Sequence, residues 1–290
     1  MTPFQNPPPD PAEFGQVLGL SCVENQVLLY LLHQGMDIRH TYEDSLPSLS
    51  AILENMLIRG KSYTEADVVP RIQQRLRERG LLSLSMKREE VGSLLHQLSH
   101  CEENLVLMQV TSDFAVKDLL ARGWRDDHFV RLFREGEGAL LLNDIPPLLR
   151  PLSSDELRRA YAGRYLVIRP HHRGIPPPKG PAAFRSWFAS PPVDARDAVN
   201  GIDRPMQYMQ EIVFFYKVMR RRAEAYASLF MDTKWMGEPL HRIEVLQMKI
   251  SYQLLHGQFG AEPASEILER LCRIDEELAG GLKEKTAGLM

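Results

Sequence analysis

The order of apolar patterns along the chain predicts an α+β fold. Segments of helical spacing fill the first hundred residues, short apolar runs of strand length follow between Leu105 and Ile168, and three long helical segments close the chain. Helices and strands gathered in blocks, without strict alternation, form the α+β order. At 290 residues the chain is about two average domains long. Hydrophobic residues make up 44% and charged residues 25%, which excludes a mainly disordered, collagenous or low-complexity protein. Lys and Arg number 35 against 38 Asp and Glu, a formal charge of −3, so no global positive field exists to hold a polyanion. Nucleic acid and membrane surfaces are therefore not expected as partners.

Ser21 stands at the N-cap of a segment from Cys22 to Gln34 in which Val23, Val27, Leu28, Leu31 and Leu32 recur at helical spacing and which Gly35 ends. A second helical segment runs from Leu49 to Ile58 and stops at Gly60. A third, from Thr64 to Glu78, opens on Thr64 as a cap and ends at Gly80, with Pro70 kinking it or marking its first turn. A fourth runs from Arg88 to Ser99. Strand-length runs come next, at Leu105 to Val110, His128 to Phe133 and Ala139 to Leu142. The last two are separated by the polar, Gly-containing stretch from Arg134 to Gly138, so they should pair as an antiparallel hairpin. Ser153 or Ser154 then caps a short helix carrying Leu157 and Tyr161, Gly163 ends it, and Tyr165 to Ile168 reads as one more strand.

Between Arg169 and Pro205 the composition shifts to proline, glycine and small residues, with Pro176, Pro177 and Pro178 in a row, as in a linker or covering loop. Beyond it, Met206 to Phe230, Glu238 to His256 and Glu262 to Leu282 have helical periodicity and good helix formers, the pattern of a small bundle or arm. The expected organisation is a domain over residues 1–170, a Pro-rich segment over 171–205 and a helical extension over 206–290, through which a homodimer would form. The longest apolar run near the start, Val27 to Leu32, falls far short of the ~20 residues that cross a bilayer. Met1 to Asp10, with Pro7, Pro8 and Pro9, lacks the basic-then-apolar order of a secretory signal, which points to a bacterial-type cytoplasmic protein. Three scattered cysteines, Cys22, Cys101 and Cys272, form neither a disulfide framework nor a CxxC zinc pair.

One of them has chemical company. Cys22 opens the first helix, where unpaired backbone N–H groups and the helix dipole favour thiolate over thiol. Gln16, six positions earlier, has a side-chain amide that would join the Cys22 backbone N–H in holding a developing oxyanion. His128 opens one strand of the expected hairpin, and Asp144 follows the other strand after Asn143. A catalytic cysteine needs a base for its proton, and that base needs an acceptor to fix the imidazole tautomer. Asp144 is the expected orienter. Asn143 is the alternative, because along a strand only one of two adjacent residues faces His128.

This order of glutamine, helix-leading cysteine, strand-opening histidine and strand-ending aspartate resembles the papain-like superfamily. The likeness is to its bacterial branch, with the double-glycine leader peptidases and the amino-terminal domain of butirosin-type acyltransferases. CVENQVLLYLLHQG, from Cys22, looks like the acyltransferases' Cys-led helix; DDHFVRLFREGEGALLLNDIPP, from Asp126, looks like their His-strand, turn and Asp-strand; SSDELRRAYAGRYLVI resembles the following helix and strand. The resemblance covers roughly residues 12–170. The plant-peptidase signature CGSCW is absent, and Ser21 and Val23 flank the cysteine where the double-glycine peptidases usually carry Asp and a small residue. The resemblance implies a papain-like domain in which Cys22 takes an acyl group from the phosphopantetheine thioester of an acyl carrier protein and passes it to a small amine. The chain itself would bind no cofactor. The same residues would also serve a cysteine peptidase or amidase, and a catalytically silent papain-like or helical interaction protein is the third expectation.

The remaining motifs read as structure. Cys101 and Cys272 lie in or at the end of ordinary helical stretches without matched partners. His171 and His172 would point to opposite faces of a strand with no further ligand at useful spacing, so no metal site is expected. Arg220, Arg221 and Arg222 read as a solvated basic face, open to an acidic carrier protein or its phosphate. Met206, Met209, Met219, Met231, Met236 and Met248 read as core or helix-interface packing.

Overall fold

The computed structural model describes residues 9–43, 46–62, 69–100, 104–119, 128–171, 179–191 and 193–289. After a 3-10 turn at Pro11–Gln16 come α1 (Cys22–His33), a second 3-10 turn (Ile38–Tyr42), and α2 (Leu49–Leu53), continued by a π-helical turn (Glu54–Ile58). Next are α3 (Ile72–Glu78), β1 (Leu82–Lys87), α4 (Val91–His100), β2 (Leu105–Val110), α5 (Ser112–Lys117), β3 (Phe129–Glu135), β4 (Gly138–Asp144) and β5 (Pro147–Leu152). The chain continues through α6 (Ser154–Ala160), β6 (Tyr161–Pro170), α7 (Arg185–Phe188), α8 (Ala195–Val199), α9 (Pro205–Ala227), α10 (Gly237–Leu255) and α11 (Ala261–Thr286). The fold is α+β, with a six-stranded antiparallel sheet and a helical C-terminal region. Among the described residues no helix is long and apolar enough to cross a membrane.

Contacts divide the chain into two compact units, Met1–Ile38 with Arg71–Ile175, and Arg39–Pro70 with Pro176–Met290. In the first, the strands run in the order β1-β6-β2-β3-β4-β5. The expected hairpin is β3–β4, with Arg131 opposite Leu142 and Leu132 opposite Leu141. Side chains alternate between the sheet's faces. Val106, Met108, Val130, Leu132, Ala139 and Leu141 form one buried face with Leu94 and Leu98 of α4, Phe114 of α5 and Leu157 of α6. The alternate residues meet α1, which packs on β2, β3 and β4. Val23, Val27, Leu28, Leu29, Tyr30 and Leu31 are all buried, so α1 is apolar around its circumference, as a central helix must be.

Several elements differ from the sequence expectation. The third helix begins at Ile72, with Pro70 ahead of it and not within it, which spares the helix a missing hydrogen bond; Thr64, its expected cap, lies outside the described residues. Gly163, at φ +83°, lies inside β6 and does not close a helix, and Tyr161 starts that strand. β5 was not expected because PLLRPL carries two prolines, which an edge strand tolerates. Nor was β1, the other edge, whose LSLSMK places only alternate residues on an apolar face. Cys101, His172, Pro176, Pro177 and Pro178 fall outside the described residues. Much of the span expected as a linker is built structure: β6 extends to Pro170, and Phe184, Trp187 and Val199 are buried.

In the second unit the basic run is not a solvated face. Arg220 and Arg222 are fully buried. The Arg220 guanidinium lies 3.7 Å from the centre of the Trp187 ring, donates to the Pro47 carbonyl at 2.8 Å, and meets Asp275 Oδ1 through Nε at 3.0 Å and Nη2 at 2.7 Å. Trp187 Nε1 and the Tyr216 hydroxyl donate to the same carboxylate. Arg222 lies over the Tyr42 ring, and Arg221 pairs with Glu224 and Glu244. α9 has buried residues on every side, so three consecutive arginines cannot all reach water. Burying a charge is tolerated only when it is paired and hydrogen-bonded. Of the methionines read as packing, Met206, Met209, Met219 and Met236 are buried, but Met248 is 63% exposed. Arg220→Ala, which strands Asp275, is expected to destabilise this unit by about 3–5 kcal/mol in urea titrations followed by tryptophan fluorescence. The double variant Arg220→Met/Asp275→Asn, which removes both charges and keeps an amide oxygen for the Trp187 and Tyr216 donors, should recover most of the loss; equal losses in both would refute the pairing argument.

Candidate active site

The residues singled out around Cys22 belong to the first unit. Ser21 caps α1 by accepting the Glu24 N–H, which puts Cys22 at the first helical position. Glu24, buried, accepts the N–H groups of Leu20 (2.7 Å) and Ile72 (2.9 Å), anchoring the loop that enters the helix. The Cys22 sulfur accepts the Phe129 N–H at 3.4 Å. One turn further along α1, Asn25 Nδ2 donates to Asp144 Oδ2 at 2.8 Å, and Gln26 Nε2 donates to the Leu142 carbonyl at 3.0 Å. The helix is thus tied to the start of β3 and the end of β4. Gly19 permits the Asn25 contact, since a Cβ there would stand 2.2 Å from Asn25 Oδ1.

His128 Nε2 lies 2.6 Å from Asn143 Oδ1, and Asn143 Nδ2 donates to the Pro146 carbonyl at 2.9 Å. The second bond fixes the amide so that its oxygen faces the ring. An oxygen can only accept there, so the neutral imidazole carries its proton on Nε2 and keeps a lone pair on Nδ1. The residue bonded to the imidazole is therefore Asn143, and not Asp144 as expected. Alternation gives the reason: Asp144 shares the side of Leu142, toward α1, whereas Asn143 shares that of Leu141. Asp144 bonds Asn25 instead and remains close enough to His128 for the two charges to interact. Gln16 ends the first 3-10 turn with its side chain exposed, and among the described residues no hydrogen bond ties it to the cluster.

Burial decides the electrostatics. Cys22, His128 and Asp144 are each at most 4% exposed, and Asn143 is fully buried. Desolvation, reinforced by the Asp144 carboxylate, pushes the Cys22 thiol up to about 12, outweighing the backbone N–H groups that pull it down. This reverses the thiolate expected from the helix start. Burial also raises Asp144, against the Asn25 hydrogen bond and His128. On the same face Arg131, pushed down to about 9 by burial, lies over the rings of Phe133 (4.4 Å) and Tyr30 (5.3 Å). Asn25, Gln26 and Gly19 were not singled out in the sequence; the available signal was the i, i+3 spacing of Asn25 from Cys22, which places both on one helix face.

Among the described residues no group of histidine, cysteine and acidic side chains is arranged to hold a metal ion. Cys272 donates weakly to the Val193 carbonyl, and His171 Nδ1 lies 3.1 Å from the Gly80 carbonyl. Comparison with protein-family models and with curated proteins finds no match for the chain.

A thiol held near 12 when folded and near 9.0 when unfolded keeps its proton in the native state while the unfolded chain loses its own. Stability must then fall as pH rises from about 9 toward 12, by about 1.4 kcal/mol per pH unit from this group. Chemical denaturation at pH 8, 9 and 10.5 should show wild type losing stability relative to Cys22→Ala above pH 9; parallel profiles would show that the thiol is not buried as described.

Proposed function

We propose that the chain is a cysteine-dependent acyltransferase of papain-like organisation, which takes an acyl group from a carrier-protein thioester and passes it to a small amine. The observation that carries this reading is the burial of Cys22 on the N–H of Phe129, the residue after His128, beside Asp144, while His128 bonds Asn143 with a defined imidazole tautomer, residues more than a hundred positions apart in part. In the proposed first step Cys22 Sγ bonds to the thioester carbonyl carbon as its proton passes to His128 Nδ1. The donor thiolate leaves and takes that proton. In the second step the amine nitrogen bonds to the acyl carbon, His128 receives the amine proton, and the Cys22 sulfur departs and recovers it. Asn143 keeps Nδ1 as the accepting nitrogen, and the Asp144 charge supports the imidazolium while it exists. The Phe129 N–H, already on the sulfur, stabilises the thiolate as it forms.

Transfer is favoured over hydrolysis by the near-complete burial of the sulfur and imidazole, which keeps water from the acyl-enzyme. A thioester donor also suits a thiol that rests protonated, because exchange of one thioester for another is close to balanced and the departing thiol returns the proton.

Intact-mass analysis after mixing with an acyl-loaded carrier protein, or with an acyl N-acetylcysteamine thioester, should show one acyl adduct that maps to Cys22 and vanishes in Cys22→Ala. His128→Ala should slow its formation by about 10²–10⁴-fold, the range of general acid–base catalysis. Asn143→Ala should slow it less, with Asn143→Asp partly restoring the rate. Absence of an adduct from both donors, or release of acid at the same rate with and without amines, overturns the reading.

A further inference from the structure

α10 carries two apolar stripes on opposite sides. Leu240, Ile243, Leu246 and Ile250 are buried within the bundle. Val245, Met248, Tyr252 and Leu255 face solvent, at 42%, 63%, 61% and 85% exposed. Most exposed large apolar residues of a globular protein are scattered, whereas these succeed one another along the helix at intervals of three, four and three. That is the a/d seam by which one helix packs into another. We propose that this seam is the interface with a second copy of the chain, the two α10 helices lying parallel about a two-fold axis.

Charge selects the occupant. The groups flanking the seam are of both signs and already have opposite neighbours on their own chain: Arg242 meets Glu238 and Glu277, Lys249 meets Glu266, and Glu244 meets Arg221. No excess charge is left for a strongly acidic or basic partner, and the flanks lack the Lys/Arg-rich face of a helix that lies on a membrane. A second copy brings the same balanced flanks. Charge also selects direction. An antiparallel pair would set Lys249 against its own equivalent across the axis, whereas a parallel pair sets Glu244 against the partner's Lys249 on both sides of the seam. The parallel arrangement stacks each seam residue on its equivalent.

The seam offers on the order of 500 Å² per copy, the low end for a specific interface, so the dimer should form reversibly at micromolar concentration. Sedimentation equilibrium of the full chain from 1 to 100 µM is expected to show a monomer–dimer equilibrium. Leu255→Glu should weaken it by about 30-fold or more, while Val116→Glu, an exposed apolar site outside the seam, leaves it unchanged. Leu255→Cys should cross-link to its own equivalent under mild oxidation, which antiparallel helices forbid because they hold the two positions about 15 Å apart along the axis. A chain that remains monomeric at 100 µM, a dimer indifferent to Leu255→Glu, or a monomer that instead sediments with anionic lipid vesicles overturns the proposal.

Discussion

The attachment of α1 to the ends of β3 and β4 is the constraint on which the candidate site depends. The helix supplies a sulfur, an amide and a second amide within five residues, Cys22, Asn25 and Gln26. Each finds a partner on the hairpin: the Phe129 N–H, the Asp144 carboxylate and the Leu142 carbonyl. A helix buried on all sides can make such bonds only where its polar residues meet strand ends, because mid-strand backbone groups are already paired within the sheet. The entry loop completes the attachment, with Gly19 clearing space for Asn25 and Glu24 binding two backbone N–H groups. Loss of any of these groups would leave a buried donor or acceptor unmatched, which costs more than the net gain of the bond itself.

The same geometry sets up an opposition within the site. A helix start and a backbone N–H both favour a thiolate, yet the folded chain holds the thiol up to about 12. Desolvation wins because Cys22 is 4% exposed, and the neighbouring carboxylate adds to it. Asp144 is itself raised by burial. At rest, then, Cys22 keeps its proton. Arg131 meets a comparable cost by stacking between aromatic rings, where a delocalised guanidinium fares better than an ammonium would.

Elements whose order is written in periodicity were legible in the sequence. α1, the β3–β4 hairpin and the three long C-terminal helices have apolar residues at the spacing of their own secondary structure, so local pattern and tertiary burial agree. What the sequence withheld depends on phase and on distant packing. Alternation showed that Asn143 and Asp144 face opposite ways, but which of them meets His128 is set by the strand register, which no local pattern records. Three consecutive arginines read as a solvated face because charge predicts exposure; only the bundle around α9 shows that Arg220 has Asp275 and Trp187 as neighbours. Residues 39–70 belong with the C-terminal helices although they precede the sheet, since chain order and contact order diverge there.

A resting protonated thiol also bears on which donors the site would accept. Attack on an amide needs proton delivery to a poor leaving group, and a thiol near 12 adds the cost of its own ionisation before that step. Attack on a thioester expels a thiolate that is a far weaker base than an amide anion, so one proton can travel from Cys22 to the imidazole and on to the leaving sulfur without accumulating charge. Burial penalises the first route, which must stabilise a strongly basic leaving group, more than the second. In the proposed reaction, the burial that raises the Cys22 thiol would therefore favour thioesters over amides as donors, a preference set by the environment of one sulfur atom.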